Sequence, residues 1–243
     1  PAFAMNLFRV SQERIVQIGQ GWVHFGILPL QQATCCTCTP VGGAALGGGC
    51  STADSASIHG HQAVAGPKAD INPLTGVFPA PASSPPYQAG TTARRLRAKL
   101  NELTSTDSYF VEVQVIHPSE TPEATRNNVS RRRAVISGTA NERTFLLTDT
   151  VAAGKPGIGA WSQLAADVVE VEFFDPAIGQ AYVSARVTQI AEDLWRYEYA
   201  VQNTTVARAF GSISIPRAPQ VSVDNFYFHD VDYADGDGLG GVS

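Results

Sequence analysis

Residues 168–203 read VVEVEFFDPAIGQAYVSARVTQIAEDLWRYEYAVQN, and this stretch decides the fold class. It contains three runs rich in β-branched and aromatic residues, at 168–174, 181–190 and 194–202. An Asp-Pro pair at 175–176 ends the first run, and a Glu-Asp pair at 192–193 provides a turn between the other two. Such runs, separated by turn residues, predict neighbouring antiparallel strands.

The same pattern recurs in both directions along the chain. Further strands are predicted at 6–10, 14–18, 21–28, 109–116, 132–137, 143–148, 208–215 and 221–228. Residues 92–103 fit either a helical face or an alternating strand, and the β surroundings favour the strand. Many short strands with frequent turns predict an all-β fold, an antiparallel, jelly-roll-like β-sandwich that forms one domain over residues 1–243. Its expected core includes Phe173, Trp195 and Phe226.

Residues 31–91 lack this periodicity and are rich in Gly and Pro. They contain all four cysteines, Cys35, Cys36, Cys38 and Cys50. Cys35 and Cys38 form one C-x-x-C, but a zinc knuckle needs a second such pair and a redox motif needs a βαβ unit. We therefore expect a long irregular insertion pinned by disulfides. A vicinal bridge between Cys35 and Cys36 would be strained, which favours the two connectivities without it.

Composition and charge exclude several classes of protein. Of the 243 residues, 44% are hydrophobic and 16% charged, with a net charge of −5. These values do not fit a coiled coil, a disordered chain or a basic protein that wraps nucleic acid, so no nucleic-acid partner is expected. No apolar run reaches the ~20 residues of a transmembrane segment.

Two series of motifs resemble a family of exported bacterial proteins that have no assigned function. The first consists of residues 6–10, 17–22, 46–51 and 72–79, and the second of residues 195–203 and 228–233 (FHDVDY). The resemblance extends over most of the chain and implies a β-rich fold, export and further sequence upstream of Pro1. It implies no catalytic residues. The sequence departs from the family around His24 and at His59 and His61.

The strongest local motif is the acidic C-terminal segment. Asp230, Asp232, Asp235 and Asp237 place carboxylates at short intervals beside glycines, and His229 precedes them. Calcium binds six to eight oxygen ligands, which such loops supply, although the spacing is not that of an EF-hand. We therefore expect a calcium site here, with a solvated Asp/Gly turn as the alternative.

Other candidate sites are less specific. His59 and His61 could bind a transition metal if His24, His117 or a carboxylate supplied a third ligand. Glu170 and Glu172 share one face of a strand, which is typical of a solvated face, and Asp107 and Glu112 belong to no catalytic pattern. There is no nucleophile elbow and no H-E-x-x-H motif.

The aromatic row Trp195, Tyr197 and Tyr199 lies on one side of a predicted strand, because side chains alternate with period two. It could be a platform on which sugars stack, but the polar residues between its members favour a wall of the core.

These observations favour an exported, non-enzymatic structural or assembly protein of the cell surface or extracellular space, which associates with itself or with other surface components. One alternative is a calcium-dependent module that binds carbohydrate or another surface ligand. The other is a metal-dependent enzyme that uses His229 and the Asp loop, or the pair His59 and His61.

Overall fold

The computed structural model describes residues 2–11, 13–25, 29–34, 36–43, 45–52, 65–66, 68, 71–77, 96–104, 106–138 and 143–229. These residues form a mainly β structure of two antiparallel sheets, the larger of which curls into a half-barrel. The predicted all-β, antiparallel fold class is confirmed. The alternation of apolar and polar residues along a strand does not by itself say which face of the strand points inward.

The first sheet is built from the N-terminal two thirds of the chain. Its long strands are β1 (Ala2–Val10), β2 (Ile15–Gln20), β6 (Ser108–Ile116) and β7 (Val129–Ser137). Shorter strands complete it, namely β3 (Val23–Phe25), β4 (Ala65–Gly66), β5 (Arg97–Ala98), β8 (Thr144–Leu147) and β9 (Ala152–Ala153). Its main path runs β4-β3-β1-β6-β7-β8.

Strand β1 is the centre of this sheet because it pairs along both edges. On one side it pairs with β6 over its full length, so that Asn6 lies opposite Glu112. On the other side its C-terminal half pairs with β2 as a hairpin, and its N-terminal end pairs with β3. The predicted third strand, at 21–28, is therefore real but short, and it joins β1 rather than β2.

The second sheet is formed by the C-terminal stretch 168–203. It consists of β10 (Val169–Asp175), β11 (Gly179–Ala191) and β12 (Leu194–Asn203) in that order. Val183 lies opposite both Val171 and Val201, and the turn falls at Glu192-Asp193. Here the predicted strands and their pairing are confirmed to within one or two residues.

A short helical segment joins the two sheets and was not predicted. A 3-10 turn (Gly157–Gly159) runs into helix α1 (Ala160–Leu164). At five residues, α1 is too short for its hydrophobic period to be read from sequence. Ile158 and Trp161 are almost fully buried, so the segment fills the space between the sheets.

The largest core cluster lies around this segment. It contains Phe8, Val10, Ile15, Phe110, Ile158, Ala160, Trp161, Val168 and Tyr182, from both sheets and the helical connection. The expected core residues Phe173, Trp195 and Phe226 are instead exposed, so this prediction is wrong. They lie on the outer side of the second sheet or beyond its last strand, away from Trp161.

Three other segments differ from expectation. Residues 208–215 and 221–228 pair with no strand among the described residues, although each has a strand-like sequence. Residues 96–104 form only the two-residue strand β5 and a 3-10 turn (Leu100–Glu102). Within 31–91 the described residues include a hydrogen-bonded loop over 31–52, which a disulfide closes.

Candidate functional site

The second sheet exposes a largely apolar face. Residues that lie opposite one another in its register share a side, and most of the odd-numbered ones point to solvent, although Ala181 is buried. We call this side the outer face; besides the polar Gln189, it includes Val169, Val171, Phe173, Val183, Val187, Trp195, Tyr197 and Tyr199, all at least 39% exposed. Monomeric soluble proteins rarely expose a contiguous apolar patch of this kind, and such patches commonly mark an interaction site.

The polar side of the same sheet faces the first sheet. Gln180, Ser184 and Gln202 are buried there. Glu172 forms an ion pair with Arg126, whose guanidinium also lies 4.7 Å from the ring of Phe174. The outward orientation of the apolar face therefore results from specific polar contacts on its inner side.

Two ionisable groups on the inner side have shifted pKa values. Burial raises the pKa of Glu170, and the nearby Arg131 acts in the opposite direction. Burial, assisted by Glu172, raises the pKa of Tyr182 to about 12. Glu170 and Glu172 are both exposed, as expected for a solvated face, and each lies near an arginine, Arg131 and Arg126 respectively. The aromatic row Trp195, Tyr197 and Tyr199 lies outside rather than in the core, which corrects the preferred interpretation.

A second apolar surface follows the last strand. Residues 208–228, which we call the tail, are exposed throughout and include Ile213, Ile215, Val223 and Phe226, the last at 85% exposure. The tail contains one turn, in which the amide of Val221 donates to the carbonyl of Ala218. At its end the Tyr227 ring lies 5.1 Å from the Arg14 guanidinium. Within the described part of the chain, the tail thus has a strand-like sequence but no partner strand.

The predicted calcium site lies outside the described residues, since these end at His229. The imidazole Nε2 of His229 lies 3.4 Å from the backbone carbonyl oxygen of Gln17 in β2. Among the described residues, no three His, Cys, Asp or Glu side chains are close enough together to hold a metal ion. The site at Asp230, Asp232, Asp235 and Asp237 remains a prediction.

The cysteine loop contains one disulfide, between Cys38 and Cys50. Neither of the two favoured connectivities includes this pair, so the expected pairing is wrong. The reason is a reverse turn in which Thr39 bonds to Gly48 and Gly49 adopts φ +71°, which brings Cys50 back to Cys38. Cys36 is exposed, and Cys35 lies outside the described residues.

Of the histidines considered as ligands of a transition metal, the structure describes His24 and His117. His24 is buried in β3, and His117 is half-buried, with its Nδ1 2.5 Å from the Ser119 hydroxyl. His59 and His61 fall in the part of the chain that is not described. The structure thus leaves the proposed pair untested.

A buried polar cluster lies at the centre of the molecule, where the sheets meet the helical connection. Glu112 of β6 is 1% exposed, and three N–H donors surround its carboxylate. Asn6 donates from Nδ2 to Oε1 at 2.6 Å, Gln202 donates from Nε2 to Oε2 at 2.6 Å, and the backbone amide of Gly157 also donates to Oε2. A buried carboxylate needs such partners, because an unpaired buried charge is very costly.

Lys68 joins this cluster through the other end of the Asn6 amide. Its Nζ donates to Asn6 Oδ1 at 2.6 Å, and Gln17 Nε2 donates to the same oxygen at 3.1 Å. Burial lowers the pKa of Lys68 to about 8, while the carboxylate of Glu112 acts to raise it. The Asn6 carboxamide is thus held between an amine, an amide donor and a carboxylate.

The sequence contained a signal for part of this cluster. Phe110, Glu112 and Gln114 share one side of β6, and Phe110 is an obvious core residue, so alternation places Glu112 inside. Lys68 could not be located in this way, because it comes from a segment without periodicity.

Comparisons with protein-family models, with curated proteins and with solved structures find no match to this chain. Among the described residues, no helix is long and apolar enough to cross a membrane. The outer face, the tail and the buried cluster are therefore the features of the molecule that bear on its function.

Proposed function

We propose that this chain is an exported, non-enzymatic structural or assembly protein of the cell surface or extracellular space, whose copies bind one another through the outer face. The observation that carries the proposal is the apolar outer face, which the second sheet turns to solvent while its polar side packs inward. The tail of a second copy pairs with the edge of β12, where its apolar side chains pack beside Trp195, Tyr197 and Tyr199 of the outer face.

The tail fits this role by sequence and by length. It has alternating apolar residues and pairs with no strand that the structure describes, so it can add as a strand to a sheet edge. In the described residues β10 and β12 pair only with β11, which leaves two such edges. Residues 208–215 in extended form span about 26 Å, enough to follow most of the ten residues of β12.

The charges of the two surfaces are complementary. Residues 169–203 contain six acidic residues and two arginines, an excess of four negative charges. The tail contains Arg208, Arg217 and Asp224, an excess of one positive charge. This difference favours pairing between a tail and a second sheet over pairing between two second sheets.

This assembly is proposed to form after export, on the cell surface or in the extracellular space. The Cys38–Cys50 disulfide is compatible with an oxidising environment, where such bonds persist. The resemblance to exported bacterial proteins points the same way.

Sedimentation velocity over a concentration series tests the association. We expect the wild-type chain to form dimers or larger species, and Trp195→Ser combined with Tyr197→Ser to be monomeric. Ile213→Asp combined with Ile215→Asp is expected to be monomeric as well. A mixture of these two variants restores association, because each supplies the surface that the other lacks.

The matched control is Leu146→Ser in β8, which removes an exposed leucine from the first sheet and leaves association unchanged. A wild-type chain that stays monomeric at the highest concentration overturns the proposal. Two variants that remain monomeric when mixed overturn the assignment of the tail as occupant.

A second candidate function has one specific observation in its favour. Trp195, Tyr197 and Tyr199 form an exposed aromatic row on β12, about 7 Å apart along the strand, which is a surface on which sugar rings can stack. The chain would then be a carbohydrate or surface-ligand binding module, with calcium at the Asp segment. A glycan array with and without calcium distinguishes the two functions. A carbohydrate-binding module gives a glycan signal that Trp195→Ser removes, whereas a self-assembling chain gives no glycan signal.

A further inference from the structure

The cluster around Asn6 contains an amine, a carboxamide and a carboxylate in direct contact. Lys68 Nζ lies 2.6 Å from Asn6 Oδ1, and Asn6 Nδ2 lies 2.6 Å from Glu112 Oε1. Asn6 and Glu112 are also directly opposite in the register of β1 and β6, so backbone pairing fixes their separation. We propose that Lys68 and Asn6 join in an intramolecular amide bond, formed by the protein itself with release of ammonia.

The amide carbon of Asn6 is the electrophile. A primary amide is normally unreactive, but here both ends of the carboxamide are polarised. Gln17 Nε2 donates to Oδ1 at 3.1 Å and is placed to stabilise negative charge that develops on this oxygen during attack. Glu112 holds Nδ2, the nitrogen that must leave.

Lys68 is the nucleophile. An ammonium group has no lone pair to donate, so attack requires the neutral amine. Burial lowers the pKa of Lys68 to about 8, which gives a much larger neutral fraction near neutral pH than an exposed lysine has. The amine is already held at the carboxamide, since Nζ lies 2.6 Å from Oδ1, the oxygen bonded to the carbon that it attacks.

Glu112 carries the proton between the two nitrogens. Its carboxylate influences the charge of Lys68 and accepts a hydrogen bond from Nδ2. In the reaction a bond forms between Nζ and Cγ of Asn6, and Nζ gives up one proton to Glu112. Glu112 returns the proton to Nδ2, the bond between Cγ and Nδ2 breaks, and ammonia leaves. An amine and a carboxamide become a secondary amide and ammonia, so no oxidant or other reactant is needed.

The surroundings protect this chemistry from water. Asn6 is 5% and Glu112 1% exposed, and Lys68 is half-buried. Exclusion of water prevents hydrolysis of the amide in competition with attack by the amine. The product connects β1 to a residue 62 positions further along the chain, and so ties the Gly- and Pro-rich region to the first sheet.

The assignment is tested by the mass of the intact, reduced protein. We expect the wild-type chain, after incubation at pH 9, to be lighter than its sequence mass by one ammonia. Peptide mapping is expected to give a branched peptide that contains both Asn6 and Lys68. The chain has three lysines, so Lys99→Arg and Lys155→Arg are matched controls that retain the loss of mass.

Variants then separate the roles of the three residues. Lys68→Met and Asn6→Ala keep the full sequence mass, whereas Asn6→Asp loses one water instead of one ammonia. Glu112→Gln slows the reaction about a hundredfold or more, as expected for loss of a proton carrier. The wild-type rate rises with pH and levels off above about pH 8, following the lowered pKa of Lys68.

A folded wild-type chain that retains its full sequence mass at pH 9 overturns the proposal, and this result does not depend on whether any variant folds. A loss of ammonia that survives in Lys68→Met overturns it too. Neither result bears on association through the outer face, which is measured separately.

Discussion

Gly157 shows how closely the elements pack around Glu112. A Cβ atom added at this glycine would lie 2.1 Å from Cε2 of Phe8, a ring that is itself buried in the largest core cluster. The absence of a side chain lets the backbone amide of Gly157 reach the carboxylate of Glu112. Glycine at position 157 therefore allows the backbone to lie close to both the Phe8 ring and the Glu112 carboxylate.

Gly157→Ala tests this packing. We expect a loss of about 1–3 kcal/mol in the free energy of unfolding, because the added methyl group must displace the Phe8 ring. Urea denaturation followed by circular dichroism measures it. Gly42→Ala is the control, since a Cβ there meets nothing within 4 Å, and it should leave stability unchanged. Equal stability of the two variants would show that the Phe8 ring can move aside.

At the scale of elements, alternation predicted the strands well but left their orientation open. In residues 169–173 of β10 and 195–199 of β12 apolar and polar residues alternate strictly, which defines two faces without saying which is inside. The usual rule placed Trp195 and Phe173 in the core, whereas buried hydrogen bonds such as that of Gln202 with Glu112 hold the other face inward. Long-range pairs of this kind cannot be read from one strand.

Sequence reasoning failed in a different way for the buried cluster. Glu112 is recognisable as an inward residue of β6, but its partners Lys68 and Gln202 are 44 and 90 positions away. Lys68 comes from an aperiodic region, where nothing in the pattern indicates which side chain returns to the sheet. The prediction for the tail failed for the opposite reason, because its pattern is that of a strand while it pairs with no strand in the described part of the chain.

The cysteine loop is an element that should unfold independently. Its described residues are mostly exposed, and its internal bonds include those between Gln32 and Ser51 and from Thr39 to Gly48. Closing so short a loop by a disulfide is worth about 3 kcal/mol in the chain-entropy model. We expect Cys38→Ser combined with Cys50→Ser to abolish hydrogen-exchange protection in this loop but to leave that of β1 and β6 intact.

Hydrogen exchange measured by mass spectrometry resolves these segments. The single variant Cys36→Ser is the control and should retain the protection of the loop, since the Cys38–Cys50 bond remains. If protection of β1 falls together with that of the loop, the loop is part of the same cooperative unit as the first sheet.

For the whole molecule, the two sheets are joined by the core around Trp161 and not by the outer face. Trp161 is 1% exposed and Trp195 is 49% exposed, so these two tryptophans compare the inner and outer surfaces directly. Below the concentration at which copies associate, Trp161→Ala should lower the free energy of unfolding by about 3–5 kcal/mol. Trp195→Ala should change it by less than about 0.5 kcal/mol, as is usual for a surface position.

The stabilities of the wild-type chain and Trp195→Ala should also be compared at high protein concentration. Association stabilises the folded state by mass action, so the wild-type chain should then become more stable while Trp195→Ala does not. Thermal unfolding at two protein concentrations measures this. If Trp195→Ala destabilises the dilute monomer as strongly as Trp161→Ala, the outer face is already covered within one chain and is not open to the tail of another. If only the concentration-dependent part is lost, the outer face contributes to assembly and not to folding.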